Sequence, residues 1–278
     1  MSHGQTTLRF RENSVRAMGD DALRAAMRNA TDTFGAKRTD AFAPVPDLEA
    51  LRDRASAIRE EVLNNLPEYV GRFVASATRA GATVHRAPDA TAAKEIIAKI
   101  LSDRGARRIV KGKSMVSEEV ELNAHLEAAG MEVVETDLGE YIIQMEGEAP
   151  SHIIVPAIHK NRRQVGKLFA DRLGVPYSDD PQVLTKIART ALREKFLSAD
   201  AGISGANFAA ADTGSLVLFT NEGNGRMVTT VPKLHVAILS IEKMLPSLAD
   251  LPDFIRLLPR SATGQPSTSY VSVITGPR

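Results

Sequence analysis

Apolar positions recur at helical spacing through the first third of the chain, and the spacing predicts helix from about Asp20 to Ala80. Leu23, Ala26, Met27 and Ala30 fall on one face. Pro44-Val-Pro-Asp-Leu-Glu opens a second helix, with Asp47 placed as N-cap ahead of Leu48, Leu51 and Ile58. Pro67 opens a third in its first turn, carrying Tyr69, Val70, Phe73 and Val74. Apolar stripes of this kind serve packing on a core more often than a partner.

From Ala82 the pattern turns to short strand, helix, short strand. Ala82-Thr-Val-His-Arg reads as a strand, Ala90 to Leu101 as an amphipathic helix, and Arg108-Ile-Val-Lys as the next strand. A helix follows from Ser117 to Ala129, ended by Gly130 at the position after its cap. Met131-Glu-Val-Val-Glu-Thr and His152-Ile-Ile-Val-Pro read as strands, and Asn161 to Leu173 as a helix. After Asp180-Pro, a helix from Val183 to Phe196 turns Leu184, Ile187, Ala188, Ala191 and Leu192 inward. The final third adds the strands Leu216 to Phe219 and His235-Val-Ala-Ile-Leu. Alternation predicts an α/β fold with a mixed, mainly parallel sheet flanked by helices, the antiparallel hairpins inserted late. Two parts are expected: a helical N-terminal region, residues 1–80, packed on the core, and an α/β domain, residues 81–278.

Composition narrows the chemistry. There is no cysteine, which removes disulfides, thiolate metal sites, a cysteine nucleophile and cysteine-held clusters from this sequence. The six histidines include no His-x-x-x-His pair, so no intrinsic metal site is expected. A formal net charge of +1 argues against a nucleic-acid partner, which would need a concentrated basic face. No apolar run approaches the ~20 residues of a membrane span, and MSHGQTTLRFREN lacks a signal peptide's apolar segment. A soluble, cytoplasmic protein is the expectation.

Ligands of α/β sheets bind beyond the carboxyl ends of strands, so residues just after each strand are the candidates. Lys111-Gly-Lys-Ser-Met-Val-Ser-Glu-Glu brings Lys111, Lys113 and Ser114 to a helix start suited to an anion. The same residues also read as a capped helix, with Ser114 or Ser117 as cap. Asp137 and Glu140, three apart, share a face if helical and suit acid–base work, or cap and solvate. His159 could be a general base beside Lys160, Arg162 and Arg163, though a lone loop histidine is more often structural.

The glycine-rich run from Gly202 to Met227 could turn Asn207, Asp212, Thr213, Glu222, Asn224 and Arg226 toward a common cavity. Two tight turns would explain its glycines equally. His235, ahead of an apolar strand, reads as a satisfied core histidine. Neither a Gly-x-Ser-x-Gly elbow nor a Gly-x-Gly-x-x-Gly turn after the first strands is present.

Five blocks carry a resemblance. They are Lys111-Gly-Lys-Ser-Met-Val-Ser-Glu-Glu, Glu135-Thr-Asp-Leu-Gly-Glu-Tyr-Ile-Ile-Gln, Pro150-Ser-His-Ile-Ile-Val-Pro-Ala-Ile-His-Lys, the glycine-rich run, and Leu258-Pro-Arg-Ser-Ala-Thr-Gly-Gln-Pro. Together they resemble the lactate utilization protein B family, whose shared module is the LUD domain. That module's fold is similar to the ribose-5-phosphate isomerase, glucosamine-6-phosphate deaminase and CoA-transferase group.

The resemblance implies a part in oxidising L-lactate to pyruvate within a three-protein bacterial system. The implied partners are a cysteine-rich protein and a second LUD-domain protein, with a small organic acid as ligand. In the family, a ferredoxin-like segment with two Cys-x-x-Cys-x-x-Cys clusters follows the LUD region and is expected to hold 4Fe-4S clusters. This sequence stops at Ile274-Thr-Gly-Pro-Arg without a cysteine, so a truncation lacking the electron-carrying part is expected, with no cofactor in this chain.

The resemblance carries over no catalytic residue. The residues themselves suggest His159, Asp212 and Glu222 for catalysis. They suggest Lys111, Lys113, Ser114, Asp137, Glu140, Asn207, Thr213, Asn224 and Arg226 for substrate binding. Alternatives are a non-catalytic scaffold for companion subunits, or a phosphosugar or CoA-ester enzyme by fold analogy alone.

Overall fold

The computed structural model describes residues 9–148, 150–151 and 155–277. Helices α1 (Phe10–Met18), α2 (Asp21–Phe42), α3 (Leu48–Asn64) and α4 (Leu66–Arg79) occupy the stretch expected to be helical. Then follow α5 (Ala90–Asp103), β1 (Arg108–Lys111), α6 (Met115–Glu119), α7 (Leu122–Ala128), β2 (Glu132–Glu135) and α8 (Leu138–Glu146). Next come α9 (Arg162–Leu173), α10 (Pro181–Ser198), β3 (Ala201–Ser204), β4 (Phe208–Ala210) and β5 (Ser215–Thr220). The chain continues through α11 (Asn224–Thr230), β6 (Leu234–Ala237), β7 (Met244–Leu245), α12 (Leu251–Thr263) and β8 (Tyr270–Ile274).

Two compact units share these elements. One takes residues up to Thr31, Asp89–Ser204 and Asn224–Val236; the other takes Asp32–Pro88, Gly205–Gly223 and the chain from Ala237. The chain thus passes between them repeatedly.

The first unit is built on a sheet of order β2-β1-β3-β6, in which β1 pairs parallel with both β2 and β3. Strands buried on both faces need unbroken apolar runs, and Ile109, Val110, Val133 and Val134 supply them. Helices pack their apolar stripes against these strands. Tyr141 of α8, Leu192 and Phe196 of α10 and Val228 of α11 enclose Val110 and Val134. Ile142, Leu168, Phe169, Leu184 and Ala188 form a second cluster among α8, α9 and α10. The helix starts are capped as their sequences dictate: Asn161 and Gln164 form a capping box on α9, and Asp180 caps α10 ahead of Pro181.

The second unit holds the sheet β7-β4-β5-β8. The hairpin β4–β5 is antiparallel, β5 pairs antiparallel with β8, and β4 pairs parallel with β7. Its core joins Val62, Tyr69, Val70, Phe73 and Ala77 of α3 and α4 to Ala209, Ala211 and Met244. A neighbouring cluster gathers Ala55, Phe208, Val217, Leu245, Leu251 and Phe254.

The α/β class and the mainly parallel, helix-flanked sheet agree with the sequence pattern, with four differences. The antiparallel strands form a sheet of their own instead of joining the first. Ala82 to Arg86 pairs with no strand among the described residues; Ala82 and Val84 instead lie against the α3–α4 core, and Asp89 then caps α5 through the Ala92 N–H at 2.8 Å. The helix expected from Ser117 to Ala129 breaks into α6 and α7 at Glu121, whose φ of 53° is left-handed. Asp47 does precede α3, but in the left-handed region (φ 52°) and without a side-chain cap bond. Residues 152–154, placed in a strand by sequence, lie outside the described residues.

Two constraints fix β3 against its neighbours. A Cβ on Gly202 would overlap the Val228 carbonyl oxygen of α11, so only glycine permits this approach. Asp200, just before β3, accepts from the backbone N–H groups of Arg107 and Arg108 at 2.9 and 2.8 Å and from the Arg108 guanidinium at 3.0 Å. The guanidinium first, then the two N–H groups, lower its pKa to about 2 from 3.8.

Gly202→Ala is expected to cost about 1–3 kcal/mol through overpacking, read from urea unfolding midpoints. Because the folded pKa of Asp200 is depressed, its contribution is full above about pH 4 and fades as pH falls toward 2. Thermal melts of Asp200→Asn should therefore lie below wild type at pH 6 and converge on it near pH 2.

Candidate functional site

Lys111 closes β1, Glu135 closes β2, and the parallel register sets them side by side. Lys111 Nζ lies 2.8 Å from Glu135 Oε1 and donates to Ser117 Oγ at 2.8 Å. Ser117 Oγ in turn donates to the Ser114 carbonyl at 2.7 Å. Asn123 Nδ2 donates to Glu135 Oε1 at 2.7 Å. The main chain around the pair is satisfied as well. Thr136 donates its N–H and hydroxyl to the Lys111 carbonyl at 3.0 and 2.8 Å, and Gln144 bridges the Glu135 N–H and the Val133 carbonyl.

Lys111 is 0% exposed and Glu135 is buried. Removing two charges from water costs several kcal/mol each, and only close geometry with further hydrogen bonds offsets it. The serine and asparagine provide those bonds.

Glu140, in the first turn of α8, is the third ionisable group at these strand ends. It is 5% exposed, and neither carboxyl oxygen meets a hydrogen-bond donor. Burial, and after it the nearby Glu135 charge, push its pKa up to about 10, with Lys111 offsetting only part of the rise. Glu140 therefore favours its protonated form beside the Lys111–Glu135 pair.

The other expected residues fall into three groups. Ser114 and Asp137 are helix caps: Ser114 Oγ accepts from the Ser117 N–H at 3.3 Å, and Asp137 from the Gly139 and Glu140 N–H groups at 3.0 and 3.2 Å. Ser114 thus caps α6, and Lys111 pairs with Glu135. Lys113 follows β1 half-buried, Asn224 begins α11 with its Oδ1 meeting no donor, and Arg226 is exposed.

His159 is held at both ring nitrogens, Nδ1 by Ser151 Oγ at 2.7 Å and Nε2 by Glu148 Oε2 at 2.8 Å. Lys160 bridges Glu146 and Glu148 at 2.9 and 2.7 Å. Burial opposes the Glu148 charge, but the bonds from Lys160 and His159 outweigh it and lower its pKa. This arrangement braces the end of α8 against the loop before α9.

Asn207, Asp212, Thr213 and Glu222 belong to the second unit. Asn207 Oδ1 accepts from the Phe219 N–H at 2.8 Å, pinning β5. Asp212 accepts from Ser247 Oγ at 2.7 Å, the Thr213 N–H at 2.8 Å and the Leu248 N–H at 3.0 Å. Burial acts against its charge, yet these bonds prevail and lower its pKa, which suits a structural acceptor better than a base. Thr213 Oγ1 donates to Ser215 Oγ at 2.8 Å, and Glu222 is exposed. His235, half-buried and with its pKa lowered by desolvation, meets Ser204 Oγ at 2.8 Å.

Glu135, Ser117, Asn123 and Gln144 complete the cluster, and of these only Ser117 was singled out from sequence, as a possible cap. The available signal was charge at strand ends. Arg-Ile-Val-Lys and Glu-Val-Val-Glu carry opposite charges at both ends, and parallel pairing matches them.

The sequence profile of the LUD domain matches residues 70–278. The chain is 42% identical over 273 residues to Lactate utilization protein B of Bacillus licheniformis, covering 98% of this chain and 57% of that protein. It is 41% identical to Lactate utilization protein B of Bacillus subtilis, covering 97% of this chain and 56% of that protein. It is 42% identical to Uncharacterized electron transport protein YkgF of Escherichia coli, over 97% of this chain and 57% of that protein. The chain thus spans little more than half the length of these relatives. A solved DUF162 family protein from Deinococcus radiodurans aligns at TM-score 0.38 and 14% identity, covering 79% of this chain and 89% of that one, too distant to inform the site.

Lys111→Met strands Glu135 as a buried lone charge and is expected to cost about 3–5 kcal/mol in urea unfolding. Adding Glu135→Gln should recover at least half of that loss, because the remaining polar group carries no charge. Equal losses in the single and double variants would mean that the ion pair is not what the lysine supports.

Proposed function

Because the chain belongs to the LUD domain family, we propose that it acts in lactate utilization, contributing to the oxidation of L-lactate to pyruvate. The observation that carries this reading is its 42% identity, over 98% of its length, to a protein named Lactate utilization protein B. The electron-transport name of the Escherichia coli relative supports a redox setting.

Within that role the chain handles the small organic acid, and redox chemistry resides in companion subunits and in cysteine-held 4Fe-4S clusters outside these 278 residues. A 2-hydroxy acid needs a cation for its carboxylate. Lys113, half-buried just past the carboxyl end of β1, is the favoured one. Docking of the companion subunits, a cysteine-rich protein and a second LUD-domain protein, is the second reading. Phe10, Val15 and Met18 favour it, standing 68–73% exposed on α1.

Deleting the gene is expected to abolish growth on L-lactate as sole carbon source while sparing growth on pyruvate; normal growth on lactate would overturn the role. Calorimetric titration of L-lactate into the purified chain should give saturable heat, weakened roughly tenfold or more by Lys113→Ala, as loss of a charge-assisted bond implies. No heat at millimolar lactate would remove substrate handling. Co-purification with the companion subunits, lost on removing residues before Asp20, would then establish docking.

A further inference from the structure

Strand β8 lies at an edge of the second sheet, and among the described residues it pairs with β5 alone. Its flanks are tied toward that same side: Thr275 Oγ1 meets Ser215 Oγ at 2.6 Å, and the Ser269 N–H donates to Asn221 Oδ1 at 3.2 Å. The opposite side of an edge strand presents N–H and C=O groups to any strand that can reach them. Edges are ordinarily guarded by charge, proline or shortness. The sheet's other edge, β7, is two residues long, and β2, at an edge of the first sheet, begins and ends in glutamate. From Pro266 to Pro277 no residue is charged, and the prolines stand only at the two ends.

The apolar layer of the sheet also runs out along this edge. Val273 pairs with Val217 and Val271 with Phe219, so both valines share the face of the Phe208 and Phe254 cluster. Val217 is wholly buried there, yet Val271 and Val273 stand 38% and 44% exposed. A further strand alongside would continue that layer.

The residue order of β8 selects the occupant. Outward from Ser272, the strand reads valine on both sides, then Tyr270 and Ile274, then Ser269 and Thr275. An antiparallel copy centred on Ser272 therefore sets valine against valine, aromatic against β-branched, and hydroxyl against hydroxyl. A two-fold axis through Ser272, perpendicular to the sheet, keeps the valines of both copies on one face. A slip of one residue would set valine against serine from the opposite face. We propose that β8 is a self-pairing edge, and that a second copy of this chain docks on it through an isologous, antiparallel β8–β8 contact. The contact joins the second-unit sheets of two copies into one eight-stranded sheet and is independent of the small acid the chain handles.

Sedimentation equilibrium of the full chain between about 1 and 100 μM, where interfaces this small dissociate, should show mass rising from monomer to dimer. Val271→Lys and Val273→Lys should each hold the chain monomeric, with far-ultraviolet circular dichroism unchanged. A milder variant reads the register. The sequence has no cysteine, and the two-fold sets paired Ser272 Cα atoms about 4.5–5.5 Å apart, a span a disulfide bridges. Oxidised Ser272→Cys should thus run as a covalent dimer, at least tenfold more abundant than from Leu197→Cys, a position 60% exposed on α10. A chain monomeric throughout that range would overturn the pairing, as would a dimer that persists in both folded lysine variants. Equal cross-linking at positions 272 and 197 would overturn it too, since random collision then accounts for both.

Discussion

The parallel register of β1 and β2 is the constraint on which the strand-end chemistry of this protein depends. It brings Lys111 beside Glu135 where helices exclude water, so neither charge can exist there without the other. The surrounding hydrogen bonds follow from that necessity. Ser117 accepts from Lys111 and Asn123 donates to Glu135 Oε1, and Thr136 and Gln144 satisfy the adjacent main chain.

That closure changes what the neighbouring groups can be. Once Lys111 is balanced by Glu135, a further carboxylate in the same space has no counter-charge, and Glu140 holds its proton instead. The break at Glu121 belongs to the same arrangement. It ends α6 so that Ser117 is buried against Lys111, while α7 buries Leu122 and Leu126. A continuous helix would present one apolar stripe, and these residues do not lie on one.

The family's lactate-related names and the strand-end cluster bear on function in different ways. Kinship points to the metabolic setting, while the cluster shows which polar groups have been taken out of solvent and at what electrostatic cost. Many residues that suit catalysis by type also make architectural hydrogen bonds. Asp212 gathers three hydrogen bonds, Asn207 pins a strand, His159 is held at both nitrogens, and Ser114 and Asp137 cap helices. Polar residues in glycine-rich turns have backbone donors close at hand, so structural use is readily available to them.

Local sequence determined the elements whose signals are local. Apolar runs in Arg108–Lys111 and Glu132–Glu135 gave buried parallel strands, and Asn161, Asp180 and Asp89 set helix starts within reach of their own chains. The absence of cysteine settled by itself that this chain holds no thiolate chemistry. Tertiary structure alone decided that the strands divide into two sheets, that Ala82 to Arg86 joins no strand among the described residues, and that burial raises the Glu140 pKa while hydrogen bonds lower that of Asp200. The reason is physical. A side chain's hydrogen-bonding capacity is carried by its own atoms, but its loss of water and its counter-charges are supplied by segments far away in sequence.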